Sequence, residues 1–413
     1  MPRNIVYVAP FPMETTLRFG RALAGLDEVR LLGVFQDFPQ GPAREVFADA
    51  ERVGDAFDAQ QVADACRRLA ARHGPIHRVL GILEDLQVQL AQVRGVLGVE
   101  GPDEATAQAF RDKAHMKDRL RAAGLPCARH FLLRSPRDAW TFVEQVGFPI
   151  VMKPPSGAGC RATYRVSSPQ ELARVLEEVK PGPTRLVLAE EFLVGAEYSF
   201  ETLTIGGQVR FHSMTRYYPS PLEVMEHDWI QWAVVLPQDI SGPEFEGVPE
   251  LGRAAVKALG LKTGMTHMEW FRRPDGSLAI GEIAARPPGA RIVDITGLGH
   301  HDAQGHPVDL YRAWARAVVD EAFDGPWDRT HAVGVAFLRG QGHGRITAVE
   351  GLDEAQRRMG SLVIDARLPH VGWQRSESYE GEGTVIVRHP DTAVVKQSIF
   401  ELITTVRVRY AQP

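Results

Sequence analysis

Two glutamates, Glu269 and Glu282, flank a short turn in the stretch THMEWFRRPDGSLAIGEIAARPPGAR. The turn is Pro274-Asp275-Gly276-Ser277. Asp-Gly between two apolar runs signals a hairpin, because glycine takes positive φ without a steric penalty. A two-residue loop at Asp275-Gly276 would set Pro274 opposite Ser277 and, counting outward, Glu269 opposite Glu282. Like charges facing each other across a ladder repel unless something sits between them. Carboxylate oxygens suit a hard divalent cation, Mg2+ or in its place Mn2+. A three-residue loop would spoil this register, and a solvent-facing hairpin with two unrelated acids is the plainer alternative. Arg286 has the parity of Glu282 and reaches the same face if the strand continues, before Pro287, Pro288 and Gly289 end it. An acid pair beside a guanidinium suits a magnesium nucleotide whose phosphate is transferred.

Other residues point the same way. Lys153 ends the apolar run Ile150-Val151-Met152, and Ser156-Gly157-Ala158-Gly159 follow. Small residues let backbone N–H groups close on an anion, and a lysine at the strand end adds a point charge. The GK[ST] ending of a Walker loop is missing, and a plain turn is the competing reading. Lys113 lies in FRDKAHMKDRL, which also reads as a solvated helix face. Glu190-Glu191-Phe192-Leu193 ends a strand and begins a connector whose backbone can serve a flat base, and Glu197, beyond a glycine, suits ribose hydroxyls. His267 shares the face of Glu269, as a substrate or phosphate contact or as a satisfied core histidine. Arg291, Tyr217 and Trp229 are further candidate substrate contacts. The stretch from Tyr217 to Phe245 is aromatic and proline-rich, as a mobile binding loop or a packed surface loop would be. His300, His301 and His306 match no zinc spacing.

Composition bounds what these residues can serve. The chain has 413 residues, 44% of them hydrophobic, enough for two or three domains with real cores. A net charge of -5 argues against nucleic-acid binding. No apolar run is long enough to span a membrane, and MPRNIVYVAPFP is broken too early for a signal peptide. Cys66, Cys127 and Cys160, far apart and odd in number, read as reduced thiols of a cytoplasmic protein.

Elements must hold the candidates in place. Strands are expected at 4–9, 29–35 and 79–83, with helices at 15–25, 59–73 and 86–97. That alternation predicts a doubly wound parallel sheet. A helix over 103–123 leads to an α+β module with antiparallel strands, a helix at 170–179 and a long hairpin turning at Gly206-Gly207. From about His331 a small α+β cap follows, with strands at 361–366, 371–373 and 384–388 and a closing helix at 392–406.

In this order, the lysine, the strand with lysine and glycine loop, the Glu-Glu connector and the acid hairpin closed by arginine resemble the ATP-grasp superfamily over nearly the whole chain. The resemblance implies an N-terminal α/β domain (1–110), a two-lobed ATP-grasp module (111–330, lobes about 125–205 and 206–330) and a C-terminal α+β cap (331–413) like that of biotin carboxylase. It also implies ATP and Mg2+. Lys113 and Lys153 would contact phosphates under the loop of Ser156, Gly157 and Gly159. Residues Glu190, Glu191, Phe192 and Leu193 would hold adenine through their backbone, with Glu197 on the ribose and Glu269 and Glu282 on the metal. EIAARPPGAR looks like L-amino-acid (dipeptide) ligases, in which the arginine matching Arg286 steadies an acyl-phosphate and a tetrahedral intermediate. Many ATP-grasp enzymes carry asparagine where this chain has Ala284, which counts against biotin carboxylase and D-alanine–D-alanine ligase. The implied activity is ATP-dependent joining of a small carboxylic acid, an amino acid for preference, to an amine. The relatives also suggest a homodimer. A carboxylase or formate-activating enzyme and a non-catalytic nucleotide-binding regulator are the alternatives.

Overall fold

The computed structural model describes residues 2–157, 162–227, 230–378 and 380–411. Its first sheet is parallel, with strand order Asp49–Arg52, Val29–Phe35, Arg3–Val8, Ile76–Leu80. The two central strands are near-continuous apolar runs, as strands covered on both faces must be. Helices Ala59–His73 and Gln87–Leu97 cover one face. Helix Glu14–Ala24 covers the other, joined there by Leu310–Asp320 from far along the chain. Phe19 packs edge-on against Trp314 at 5.0 Å, and Arg3 pairs with Asp320 at 2.7 Å.

The expected helix over 103–123 is two helices, Glu104–Arg111 and Lys113–Ala122. Asp112 stands between them in extended conformation, and its carboxylate accepts the N–H groups of Ala114 and His115. An aspartate that caps a new helix start competes with continuing the old one.

Two antiparallel sheets follow. The smaller runs His130–Leu133, Val187–Glu191, Ile150–Lys153, Tyr164–Val166, and its core takes in helices Pro136–Val146 and Pro169–Val179. The larger has eight strands, in the order Leu278–Ala284, Gly264–Arg272, Ala196–Ile205, Gln208–Tyr218, Trp232–Leu236, Ala332–Leu338, Gly383–His389, Val363–Arg367. It runs unbroken across residue 331, so the C-terminal segment is built onto the sheet that carries the acid hairpin. The strand expected at 371–373 is absent, while Arg407–Tyr410 forms one and pairs with Ile346–Glu350. The stretch from Tyr217 is no long loop. It holds a helix, Pro221–Glu226, and the central strand Trp232–Leu236, paired on both sides. Trp232 is buried there, donating its indole N–H to Pro219 O at 3.0 Å. Among the described residues no helix is long and apolar enough to cross a membrane.

The acid hairpin keeps its expected pair by an unexpected route. Arg272 pairs with Leu278 and Trp270 with Ile280, so the ladder starts one residue out of the predicted register. The loop has three residues, 274–276. Arg273 N–H donates to Ser277 O, Gly276 N–H donates to Arg273 O, and Gly276 adopts φ 82°. A bulge at Gly281 then inserts one residue into the returning strand, and Glu269 faces Glu282 after all. Glycine suits the bulge, because a Cβ there would lie 3.1 Å from the Phe271 ring and 3.3 Å from Glu269 O.

Candidate active site

A cleft of about 630 Å3 opens between the two antiparallel sheets. Along its floor positive and negative groups alternate. Glu282 Oε2 lies 3.5 Å from both Lys113 Nζ and Lys153 Nζ. Lys153 Nζ lies 3.0 Å from Glu190 Oε2, and the other Glu190 oxygen lies 2.8 Å from Lys117 Nζ. Lys117 donates to Gly281 O at 2.6 Å, which returns the row to the bulge of the acid hairpin.

Local structure explains why these lysines are inside. Asp112 starts the helix at Lys113, whose backbone N–H donates to Pro155 O at 2.9 Å and whose ammonium donates to Gly157 O at 2.7 Å. Lys117 follows one turn later on the same face. FRDKAHMKDRL is therefore not a solvated face. The side chains of Lys113 and Lys117 are 5% and 0% exposed.

The acids divide by their neighbours. Burial would raise Glu190, but Lys117 and Lys153 hold it at about 2. Burial likewise opposes ionisation of Glu282, and Lys113, Lys153, Lys117 and Arg286 overcome it, keeping it well below the usual carboxylate range. Glu269 is pushed up by burial and by Glu282 opposite. Glu197 is pushed up further, by burial and then by Glu269 and Glu282. The end of the cleft at Glu197 and Glu269 is thus short of positive charge. Among the described residues no three or more His, Cys, Asp or Glu form a metal-binding group. A cation between Glu269 and Glu282 would need further oxygen ligands from outside the protein. Mg2+ habitually binds in this manner, through one or two carboxylates plus water and phosphate.

Arg286 lines the cleft and is held by a residue outside the sequence prediction, Glu84. The guanidinium places Nε 3.0 Å and Nη2 2.9 Å from Glu84 Oε2. Arg111 is a second cleft-side residue that the sequence motifs do not mark. It donates to Ser156 O at 2.9 Å, is bonded to Asp85, and stands 3.6 Å from Glu84. His267 is at the cleft wall, with Nδ1 3.0 Å from Glu201 Oε1 and Nε2 3.3 Å from the Tyr217 hydroxyl.

Some expected positions differ. Glu190 is not a connector residue. It ends inside a strand paired on both sides, and its side chain points into the lysine row. Glu191 is tied to Arg129 at 2.8 Å and Arg273 at 3.0 Å. Its N–H donates to Arg129 O, and that of Phe192 to Pro149 O. Leu193 lines the cleft, and among the described residues nothing accepts its N–H. Arg291 does not line the cleft. Asp294, Asp365 and Thr384 take its guanidinium, at 2.7, 2.6 and 3.1 Å. Ser156 and Gly157 meet Arg111 and Lys113 through their carbonyls. Ala158, Gly159, Cys160 and Trp229 lie outside the described residues.

Gly195 joins the connector to the next strand at φ 149°, where a Cβ would come 2.2 Å from Arg272 O. Gly195→Ala is expected to destabilise the protein by about 3 kcal/mol, through forced backbone and packing shifts. A thermal unfolding midpoint equal to that of the parent would contradict this.

A family model described as the ATP-grasp domain matches residues 118–296, which hold Lys153, the connector, the acid hairpin and Arg286. A D-alanine–D-alanine ligase of Pseudomonas fluorescens is 30% identical over 241 residues, 56% of this chain and 72% of its own length. The chain belongs to the ATP-grasp family. An L-arginine-specific L-amino acid ligase of Bacillus subtilis is 28% identical over 225 residues, 53% of each chain, so this ATP-grasp protein spans about half of that relative's length. The crystal structure of an L-amino acid ligase from Bacillus licheniformis superposes on 99% of both chains with a TM-score of 0.81 at 18% identity, which shows a shared fold. Lys113, Arg111 and Glu84 all precede the matched ATP-grasp segment.

Proposed function

We propose that this protein is an ATP-dependent carboxylate–amine ligase acting through an acyl-phosphate, with an amino acid among its substrates. The observation that carries the reading is the row Lys113–Glu282–Lys153–Glu190–Lys117, with Glu269 facing Glu282. A carboxylate is a poor acyl donor at neutral pH. Transfer of the γ-phosphoryl group of ATP to one of its oxygens breaks the bond to ADP, which leaves, and attack by an amine on the carbonyl carbon then expels phosphate and, with loss of one amine proton, gives the amide. Such chemistry needs positioning and charge neutralisation above all.

Lys113 and Lys153 neutralise nucleotide phosphates, and Glu190 keeps Lys153 aimed. Lys117 holds Glu190 and the Gly281 bulge, so the lysine row and the acid pair stay in register. Glu269 and Glu282 hold Mg2+, which when bound offsets charge on the phosphates. The shortage of positive charge at Glu269 and the open ligand count of the pair fit such an ion. Leu193 meets the adenine edge through its N–H, and Glu197 meets the ribose. His267 and Tyr217 line the wall where the acids to be joined would lie. The same reading keeps the division near residues 110 and 330, the cap sharing the eight-stranded sheet, and expects a homodimer.

Arg286 stabilises the developing oxyanion. Arg286→Ala is expected to lower kcat by about 10²–10³-fold with ATP affinity little changed, as removal of an oxyanion donor does. Weakened ATP binding at unchanged kcat would move Arg286 to ground-state binding. The reading as a whole is tested by phosphate release from MgATP with paired carboxylates and amines.

A further inference from the structure

Glu84 belongs to no part of the nucleotide or metal machinery described above, yet it is the carboxylate on which Arg286, Arg111 and Lys113 converge. It sits in the turn Glu84–Leu86, just past the C-terminal end of the edge strand Ile76–Leu80 of the parallel sheet. Open parallel sheets place functional groups beyond the carboxyl ends of their strands. The turn is fixed from three sides. Leu86 is fully buried, its N–H donates to Leu83 O, and the Gln87 amide donates to the carbonyls of Gly81 and Leu83. The Glu84 side chain is 8% exposed, so its carboxylate has little freedom to swing away.

We propose that Glu84 is a positioning residue that sets the plane of the Arg286 guanidinium, so that the N-terminal sheet holds the catalytic arginine of the ligase site. The inference rests on the role given to Arg286 above. Nε and Nη2 both point to Glu84 Oε2, at 3.0 and 2.9 Å, while Nη1 donates to Pro287 O at 3.2 Å. A guanidinium is a rigid planar fork, so bonds to two adjacent nitrogens fix the orientation of the rest. The other Glu84 oxygen faces Arg111 at 3.6 Å and Lys113 at 3.9 Å, which centres the carboxylate among three cationic side chains. Arg286 comes from the turn after the acid hairpin, while Arg111 and Lys113 come from the two helices that join the sheets. One acid therefore registers three separate parts of the chain.

The test is a double-mutant cycle of Glu84→Gln and Arg286→Ala, read as kcat, KM and ATP dissociation constant, with Glu84→Asp as the conservative variant. Glu84→Gln is expected to lower kcat by about 10²-fold, the size expected from an ångström of misplacement, with ATP affinity close to the parent and a lowered thermal unfolding midpoint, because Arg286, Arg111 and Lys113 lose their shared carboxylate, so kcat is read below both midpoints. Glu84→Asp is expected to fall between the two. In the Arg286→Ala background, Glu84→Gln is expected to cost less than about threefold in kcat, because a residue acting through Arg286 has nothing left to act on. Equal effects of Glu84→Gln in both backgrounds, or a rise in the KM of one substrate at unchanged kcat, would overturn the proposal. The first would give Glu84 an independent role and the second a direct substrate contact. If Arg286→Ala itself leaves kcat unchanged, the role of Arg286 fails first, and the cycle shows it in its own corner.

Discussion

Glu282→Gln is expected to lower turnover by about 10³-fold or more while the protein keeps its fold. Glutamine preserves size and one oxygen but removes the charge that faces Glu269 and lies 3.5 Å from two lysines. A cation held by Glu269 and Glu282 would supply several kcal/mol by offsetting phosphate charge, and about 4 kcal/mol corresponds to a factor of 10³. The unfolding midpoint is expected to fall somewhat, because Lys113, Lys153, Lys117 and Arg286 hold the Glu282 carboxylate well below its usual range and that preference is folding free energy, so turnover is compared below both midpoints. Circular dichroism and the unfolding midpoint check the fold, and a magnesium titration of the residual rate checks the cause. Normal turnover with normal magnesium dependence would remove Glu282 from the metal site.

Lys117→Met is expected to act on stability first. Lys117 is fully buried, and burial pushes its ammonium toward deprotonation while Glu190 opposes this. Breaking a buried pair costs about 3–5 kcal/mol, because the remaining charge loses its partner. Glu190 keeps Lys153 at 3.0 Å, so the lower end, about 3 kcal/mol, is expected. A second effect follows from geometry. Gly281 O loses its donor, and the bulge that sets Glu269 against Glu282 loses a fixed point. Magnesium-dependent nucleotide binding should weaken along with the unfolding midpoint. A variant with parent-like midpoint and parent-like nucleotide affinity would show that the lysine row is not held through Lys117.

The acid pair is legible in the sequence, although a two-residue loop does not describe its register. A loop one residue longer than expected and a bulge one residue deep cancel, and no local signal ties Gly281 to Phe271 and Glu269 O, which are set by the folded ladder. The parallel sheet was legible because its central strands are continuous apolar runs between helical periods. The motifs single out Lys113 and Lys153, and the structure places both in the cleft, while Lys117 goes unmarked. Its i,i+4 spacing from Lys113 was available, but burial of a lysine depends on a glutamate seventy residues away. Glu190 lies in the expected neighbourhood, but its backbone is paired in the sheet and its side chain meets Lys117 and Lys153, since backbone use and side-chain use of a strand-end residue leave the same letters. Glu84 could have been suspected only from its place after an apolar strand. The continuity of the eight-stranded sheet into the C-terminal segment rests on non-local pairing of Trp232–Leu236 with Ala332–Leu338, which one-dimensional patterns do not carry.

The activity proposed for the cleft is the joining of a carboxylate to an amine at the expense of ATP. The direct measurement is phosphate release from MgATP across pairs of proteinogenic amino acids, with mass spectrometry of every positive mixture. The predicted result is phosphate release that needs both substrates, with a product at their summed mass less one water. Phosphate release that needs only one substrate, with bicarbonate or formate sufficing and no condensed product formed, would contradict it.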